Sequence, residues 1–375
     1  MFIGILKEET PERRVSLLPE AVSALSKLGI GMLVEKDAGS GAFASDDEYV
    51  AAGAKILAKE ELLKQADLVV KINPPTASEL SGLDPGKIIL AVLNPFFNMD
   101  LIRNLAEKNI TGFSLDIIPR TSRAQSMDIL SSMATVAGYK AVLTAANNLP
   151  KFFPMFMTAA GTITPAKVLI LGAGVAGLQA LATSRKLGAV VEVFDVRKAV
   201  KEEVVGLGGK FVEVEGSTDD KAAGGYAVEQ TEEYKKRQAE AIHAHAIKSD
   251  ALICTAQIPG RRAPLLITRE TVEKMKPGSV IIDLAASTGG NCEITKNGEV
   301  ISHNGIRIIG NSNFPVDMPT DASKMFGKNV INFLKLMISS KGEFSLNWDD
   351  DIVRGTCVTH NREIVNEKVK SAINA

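Results

Sequence analysis

Residues 167–180 read KVLILGAGVAGLQA, and the reading of the whole chain grows from this stretch. Lys167–Leu171 is an apolar run of strand length, and a helical pattern begins just after it. Between them Gly172, Gly174 and Gly177 form G-x-G-x-x-G in the strand–turn–helix context that gives the motif its meaning. Gly172 permits a tight turn, Gly174 lets the backbone approach a pyrophosphate, and Gly177 lets the helix pack close to the strand. The first N–H groups of the helix, with Val175 and Ala176 among them, then face the phosphates with the positive end of the helix dipole. A second apolar run, Val190–Phe194, ends on Asp195, roughly 20 residues beyond the glycines, where a ribose-binding acid belongs. A carboxylate there accepts hydrogen bonds from ribose hydroxyls and repels a 2′-phosphate, which selects NAD over NADP. Val196 and Arg197 follow it, and Arg197 keeps NADP from being excluded outright. Alone, Asp195 would read as a helix cap or a surface acid; the turn tips the balance to the ribose.

Working outward, short apolar runs alternate with helical patterns along most of the chain. Strands are expected at Phe2–Ile5, Met32–Val34, Asp67–Ile72, Lys87–Leu93 and Thr111–Leu115, with helices at Pro19–Leu28 and Asp100–Lys108. After Lys167–Leu171 and Val190–Phe194, further strands are expected at Ala251–Thr255, Val280–Asp283 and Ile306–Ile309. This rhythm predicts an α/β protein of two Rossmann-like, doubly wound parallel-sheet domains with a cleft between them. The expected division is 1–130 plus 322–375 for the first domain, the helix at Lys324–Met337 and the tail returning to it, and 131–321 for the NAD-binding domain.

Bulk composition narrows the function. At 375 residues the chain is long enough for two domains, and 45% hydrophobic residues can build their cores. The 43 basic and 44 acidic side chains leave a net charge of -1, which argues against a nucleic-acid or polybasic membrane surface. Cys254, Cys292 and Cys357 match neither a disulfide framework nor a zinc site, so a reducing, cytoplasmic compartment is expected. No signal peptide is read at the N-terminus. The longest apolar stretch, Val168 to about Ala182, is too short and too broken by glycine to span a bilayer; the chain is expected not to enter a membrane, although it could dock on a protein that does.

One segment interrupts the alternation. PRTSRAQSMDILSS, residues 119–132, carries Arg120, Arg123, Gln125, Asp128 and Ser131 in a short space before an apolar helix, Met133–Asn148. The plain reading is a salt-bridged linker whose Ser122 or Ser126 caps that helix. The functional reading is a loop at an interdomain cleft, where Gln125 and Asp128 could bond a nicotinamide carboxamide and Arg120 could reach a phosphate or hold the ring.

With these motifs in place the chain resembles the NAD(H)-binding component of proton-translocating transhydrogenase, a family related to alanine dehydrogenase. The likeness runs through GILKEETPERRVSLLPEAV (4–22), VEKDAGSGAFASDDEYVAAGAKI (34–56), PRTSRAQSMDILSSMATVAGYKAV (119–142), MTAAGTITPAKVLILGAGVAGLQA (157–180), AGGYA (223–227), KMKPGSVIIDLAASTGGNCE (274–293) and RGTCVT (354–359). The resemblance implies that Arg120, Gln125, Asp128 and Ser131 hold the nicotinamide end, with Ser126 and Met127 beside them. It implies a mobile loop in which Gly225 and Tyr226 close over bound nucleotide, and an adenine-side contact near Gln257 and Ile258, where the family often has leucine in place of Gln257. It further implies direct hydride transfer from NADH to NADP(H) bound on a partner, a homodimer, and a partner with NADP-binding and membrane-spanning proton-channel regions. The protein would then be cytoplasmic and peripheral to the inner membrane.

The alternative on the same scaffold is an amino-acid or oxo-acid dehydrogenase. That chemistry needs a proton donor and acceptor beside the substrate carbonyl, supplied in alanine dehydrogenases by a lysine and a histidine. Aligning VVKINPP and ILAVLNP with the corresponding segments puts Asn73 and Asn94 at those positions, and neither titrates near neutral pH. His243, His245, His303 and His360 read as solvated surface residues. Lys71 and Arg14 remain as cations able to bind an anion.

Overall fold

The computed structural model describes residues 1–216, 231–258, 261–339 and 342–374. The chain forms two compact units, Met1–Met133 with Pro315–Ala375, and Ala134–Phe314.

In the first unit six parallel strands, β1 (Phe2–Ile5), β2 (Gly31–Glu35), β3 (Ala54–Leu57), β4 (Leu68–Val70), β5 (Ile88–Ala91) and β6 (Thr111–Ser114), lie in the order β3-β2-β1-β4-β5-β6. Two C-terminal strands, Cys357–His360 and Glu363–Ile364, extend the sheet antiparallel beyond β6. The strands read as unbroken apolar runs because both faces of the sheet are buried. Met32, Val34, Leu68, Val70 and Leu90 enter one core cluster, and their neighbours Leu33, Val69, Ile89 and Ala91 enter the cluster on the opposite face. The helix Pro319–Leu334 fills the first cluster with Phe326, Val330, Phe333 and Leu334. The order reverses between β1 and β4, so this unit has its own switch point.

The second unit repeats the plan. After a hairpin of β7 (Phe156–Thr158) and β8 (Gly161–Ile163) come β9 (Lys167–Leu171), β10 (Val190–Phe194), β11 (Lys210–Phe211), β12 (Ala251–Cys254), β13 (Val280–Asp283), β14 (Val300–His303) and β15 (Ile306–Gly310). Their order is β11-β10-β9-β12-β13-β15-β14, parallel except for β14. Val168 and Ile170 pack on one face of the sheet, Leu169 and Leu171 on the other. The order reverses between β9 and β12.

The expected strands occur, several of them shorter: Asp67–Ile72 contracts to β4 and Lys87–Leu93 to β5. The helix expected from Met133 starts at Ile129 and runs to Asn148. By length and hydropathy this helix, rather than Val168–Ala182, is the one among the described residues that could cross a membrane. Its Ala137, Ala141, Val142 and Ala145 belong to the core of the second unit, which accounts for its apolar character. The antiparallel edge strands and the β7–β8 hairpin were not expected.

Candidate functional site

The glycine turn lies at the carboxyl end of β9, at the switch point of the second unit. Gly172 has φ +102°, a conformation that glycine adopts freely, and its N–H donates to Phe194 O at 2.8 Å. A Cβ at Gly177 would stand 1.8 Å from Gly172 O, so only a glycine allows the helix Val175–Lys186 this close to the turn. Gly174 is different. A Cβ there would meet nothing within 4 Å, and the backbone of the turn lies open. Gly174 is also the N-cap of the helix and offers no side-chain cap. Exposed Val175 and half-buried Ala176 follow it. The three glycines thus divide as the fingerprint requires: one turns the chain, one seats the helix, and one leaves room for a pyrophosphate at uncapped helix N–H groups.

Residues outside the motif hold the turn. Thr255, just past β12, donates its hydroxyl to Leu171 O and Gly172 O at 3.1 and 3.0 Å. Buried Asn291 accepts from Ala256 N–H at 3.0 Å and donates to Ala256 O and Pro264 O at 2.9 and 2.8 Å. Asp283, fully buried, accepts from the N–H groups of Ala285, Asn291 and Cys292; burial raises its carboxyl above the ordinary range. Gly138 lets the long apolar helix approach the same corner, because a Cβ there would stand 2.2 Å from Ala176 O. The sequence reading missed all four. Gly138, alone inside an apolar helix, was the available signal of a close approach.

Asp195 sits at the end of β10 and is largely buried. Its Oδ2 accepts from Ala173 N–H at 2.7 Å and from Arg197 Nη2 at 2.8 Å; its Oδ1 accepts from Arg197 N–H at 2.8 Å and Arg197 Nε at 2.9 Å. Four donors saturate the lone-pair positions of a carboxylate. Asp195 therefore anchors the turn through Ala173, and Arg197 covers the face a ribose would use. Val196 is half-buried beside it. Exposed Gln257 donates its amide to Leu284 O at 3.1 Å, with half-buried Ile258 next in the chain.

In the first unit the polar segment forms a 3-10 helix, Ser122–Met127. Arg120 and Gln125 are exposed, as is Ser126, while Met127 is buried in the core. Asp128 Oδ1 accepts from Ser131 N–H at 2.9 Å and Oδ2 from the Ser131 hydroxyl at 2.6 Å. This is an N-cap, so the residue capping Ile129–Asn148 is Asp128 and neither Ser122 nor Ser126. Arg123 binds both Asp350 oxygens at 2.6 and 2.8 Å and also touches Asp351; these bonds hold the Asp350 carboxyl below its ordinary range. Ser126 O accepts from the side-chain amides of Asn329 and Asn332 at 2.8 and 3.0 Å. The expected loop residues Gly225 and Tyr226 lie outside the described residues.

The first unit has charged groups at the carboxyl ends of β1 and β4, but they satisfy one another. Arg14 and Glu12 form a buried pair, Nε–Oε1 2.8 Å and Nη2–Oε2 2.6 Å. Burial raises the Glu12 carboxyl, yet the Arg14 contacts outweigh it and hold the group low. Lys71 is buried against Glu79 at 2.6 Å. Neither cation is open to an outside anion, which corrects the expectation from sequence. Asn73 donates to Glu8 Oε2 at 3.1 Å, and Asn94 has φ +48° with its N–H on Asp116. The histidines are also partnered where solvated ones were expected: His243 on Thr271 at 2.8 Å, His245 on Glu192 at 2.6 Å, His303 on Glu273 at 3.3 Å, and His360 on Thr111 at 3.0 Å and the Trp348 ring. No group of acids, cysteines and histidines able to hold a metal occurs among the described residues. A cavity of about 480 Å³ lined by Phe152, Phe153, Pro154, Lys186, Leu187 and Gly188 lies before the start of β10, at the end of the sheet opposite the turn.

Known proteins agree with this geometry. The chain is 46% identical to the first of the separately encoded portions of the NAD(P) transhydrogenase alpha subunit of Rhodospirillum rubrum, over 97% of this chain and 98% of that one. It is 42% identical to the NAD(P) transhydrogenase subunit alpha of Haemophilus influenzae, over 97% of this chain and 71% of that one. Alanine dehydrogenase of Bacillus subtilis is 28% identical, over 98% and 94%. The crystal structure of transhydrogenase from Sinorhizobium meliloti superposes with TM-score 0.89 at 42% identity, covering 97% of this chain and 100% of that one. An L-alanine dehydrogenase structure shares the fold, with TM-score 0.83 at 24% identity, over 100% and 99%. Models of the N-terminal and C-terminal domains of alanine dehydrogenase/PNT match residues 4–137 and 141–367, and the chain belongs to that family.

Proposed function

We propose that this chain is the NAD(H)-binding component of an NAD(P) transhydrogenase, working with a partner that binds NADP(H). The observation that carries the choice within the family is the pair Asn73 and Asn94, which stand where a dehydrogenase of this scaffold needs titrating groups. Asn73 is bonded to Glu8, while Arg14 and Lys71 are neutralised internally. An oxo-acid substrate would find neither a cation nor a proton donor. Transfer between two nicotinamides needs neither, because no substrate proton moves at that step.

NADH supplies the hydride at its C4 atom. The work of the chain is to bind, orient and exclude water. Gly172, Gly174 and Gly177 with Val175 and Ala176 receive the pyrophosphate. Asp195, flanked by Val196, receives the adenosine ribose once Arg197 swings from its carboxylate. Gln257 borders the adenine side. Arg120, Gln125, Ser126, Met127, Asp128 and Ser131 serve the nicotinamide end, with Gly225 and Tyr226 closing over the nucleotide. The partner carries the NADP site and a membrane-spanning proton channel, so the chain is cytoplasmic and peripheral to the inner membrane.

The chain also pairs with a second copy of itself. Phe152, Met155, Phe156 and Met157 are 53, 57, 42 and 76% exposed on and before the β7–β8 hairpin, a patch that invites apolar cover. Light scattering should give twice the chain mass, and Met157→Asp should reduce it.

The decisive assay mixes this chain with an NADP-binding transhydrogenase component and follows hydride transfer from NADH. Transfer is expected, together with no NADH oxidation by pyruvate and ammonia with the chain alone. The reverse pattern refutes the proposal.

A further inference from the structure

Sequence reading singles out Gln125 and Asp128 but is silent on what keeps their segment in place. Two side-chain amides on one face of Pro319–Leu334, Asn329 and Asn332, point at the same atom, the carbonyl oxygen of Ser126. They sit one helical turn apart, so both can reach a single target. Asn329 is 6% exposed, and its Oδ1 has no hydrogen-bond partner. A leucine there would fill the same volume without an orphaned buried acceptor, and on stability alone is no worse. Ser126 itself is exposed, and water could serve its carbonyl. The double grip is therefore poorly explained as a device for stability.

We propose that Asn329 and Asn332 are positioning residues for hydride transfer. They fix Ser126 O, and through it the backbone flanked by Gln125 and Asp128, so that the exposed Gln125 is presented in one register. The Arg123 fork on Asp350 holds the other end of the same 3-10 segment. Between these anchors and the Asp128 cap, a short turn with few bonds of its own is held at three points. Such restraint limits the geometry available to the reacting ring, where a displacement of about 1 Å costs on the order of 10²-fold in rate. This inference rests on the proposed transhydrogenase function.

The test uses the full chain mixed with an NADP-binding transhydrogenase component. For Asn329→Leu with Asn332→Leu, hydride transfer from NADH at saturation should fall by about 10²-fold, with the NADH dissociation constant within about threefold of the parent and an unchanged melting temperature. Asn332→Gln, which keeps the amide donor at a half-buried site, should retain most of the rate. An equal loss of binding and rate, an unchanged rate, or a Gln variant as slow as Asn332→Leu would overturn the proposal. If the double variant does not fold, the single Asn332→Leu change decides the matter by the same comparison. Failure of the parent chain to transfer hydride would instead refute the function on which the inference rests.

Discussion

The glycine turn allows a sharp separation between space that the protein needs and space that a ligand needs. Gly174 has φ −78° and ψ −173°, an ordinary extended conformation for any residue. Alanine at this N-cap loses cap preference of roughly 0.5–1 kcal/mol and regains about as much by stiffening the unfolded chain. Its Cβ meets no protein atom within 4 Å. Gly174→Ala should therefore melt within about 2 °C of the parent. The methyl group does occupy the space where a pyrophosphate approaches the turn. Losing one or more charge-assisted bonds of about 1.5–3 kcal/mol weakens NADH binding roughly 10- to 150-fold. Gly177→Ala inverts the pattern. Its Cβ would lie 1.8 Å from Gly172 O, a backbone atom that cannot rotate away. The helix must retreat by roughly 1.5 Å, at an overpacking cost of about 1–3 kcal/mol. Melting should drop by several degrees before any ligand is added, and binding should weaken because the helix N-terminus has moved. Differential scanning fluorimetry without nucleotide and calorimetric titration of NADH read the two effects apart. A Gly174→Ala protein with parental affinity, or a Gly177→Ala protein with parental melting, would refute the division of roles.

Arg197→Ala should strengthen NADH binding about fivefold, since a half-buried ion pair worth about 1 kcal/mol no longer competes for Asp195, whereas Asp195→Ala should weaken it; calorimetry decides the sign. Asp128→Ala should cost about 1 kcal/mol of stability as a lost cap, measured by urea unfolding, and should slow hydride transfer more than it weakens NADH binding. Burial lowers the His360 pKa, so the imidazole stays neutral in the folded state while the unfolded chain takes the proton first; its contribution to stability is lost as pH falls below about 6.5. Trp348, the single tryptophan, stacks on His360 at 4.5 Å, and its fluorescence should fall with a midpoint below 6.5, a transition that His360→Phe abolishes. Cys254, Cys292 and Cys357 are buried, and burial pushes all three thiols up, Cys357 to about 12, so none should react with a thiol reagent until urea unfolds the chain.

What the sequence discloses, and what it hides, divides by the range over which each residue acts. The strands are legible because both faces of each sheet are buried, which turns them into uninterrupted apolar runs such as VLIL and VIID. The turn is legible because its glycines act on their immediate neighbours, and Asp195 because its bond to Ala173 spans only 22 residues within one β-α-β unit. The antiparallel edge escapes notice because Cys357–His360 finds β6 only after the chain has returned from the second unit. The same holds for the polar contacts. Thr255 bonds Gly172 across 83 positions and Asn329 bonds Ser126 across 203, and nothing local marks either residue. Arg14 and Lys71 mislead for the complementary reason. A cation in a sequence looks available, but its carboxylate partner, two positions away for Arg14 and eight for Lys71, is assigned only when the backbone turns both side chains inward. Sequence thus names the groups that can touch a nucleotide, while the fold decides which of them are still free to do so. Asp195 meets both conditions only conditionally: its place is written in the motif, but its carboxylate is already occupied by Arg197, so affinity for NADH depends on a competition that no spacing rule contains.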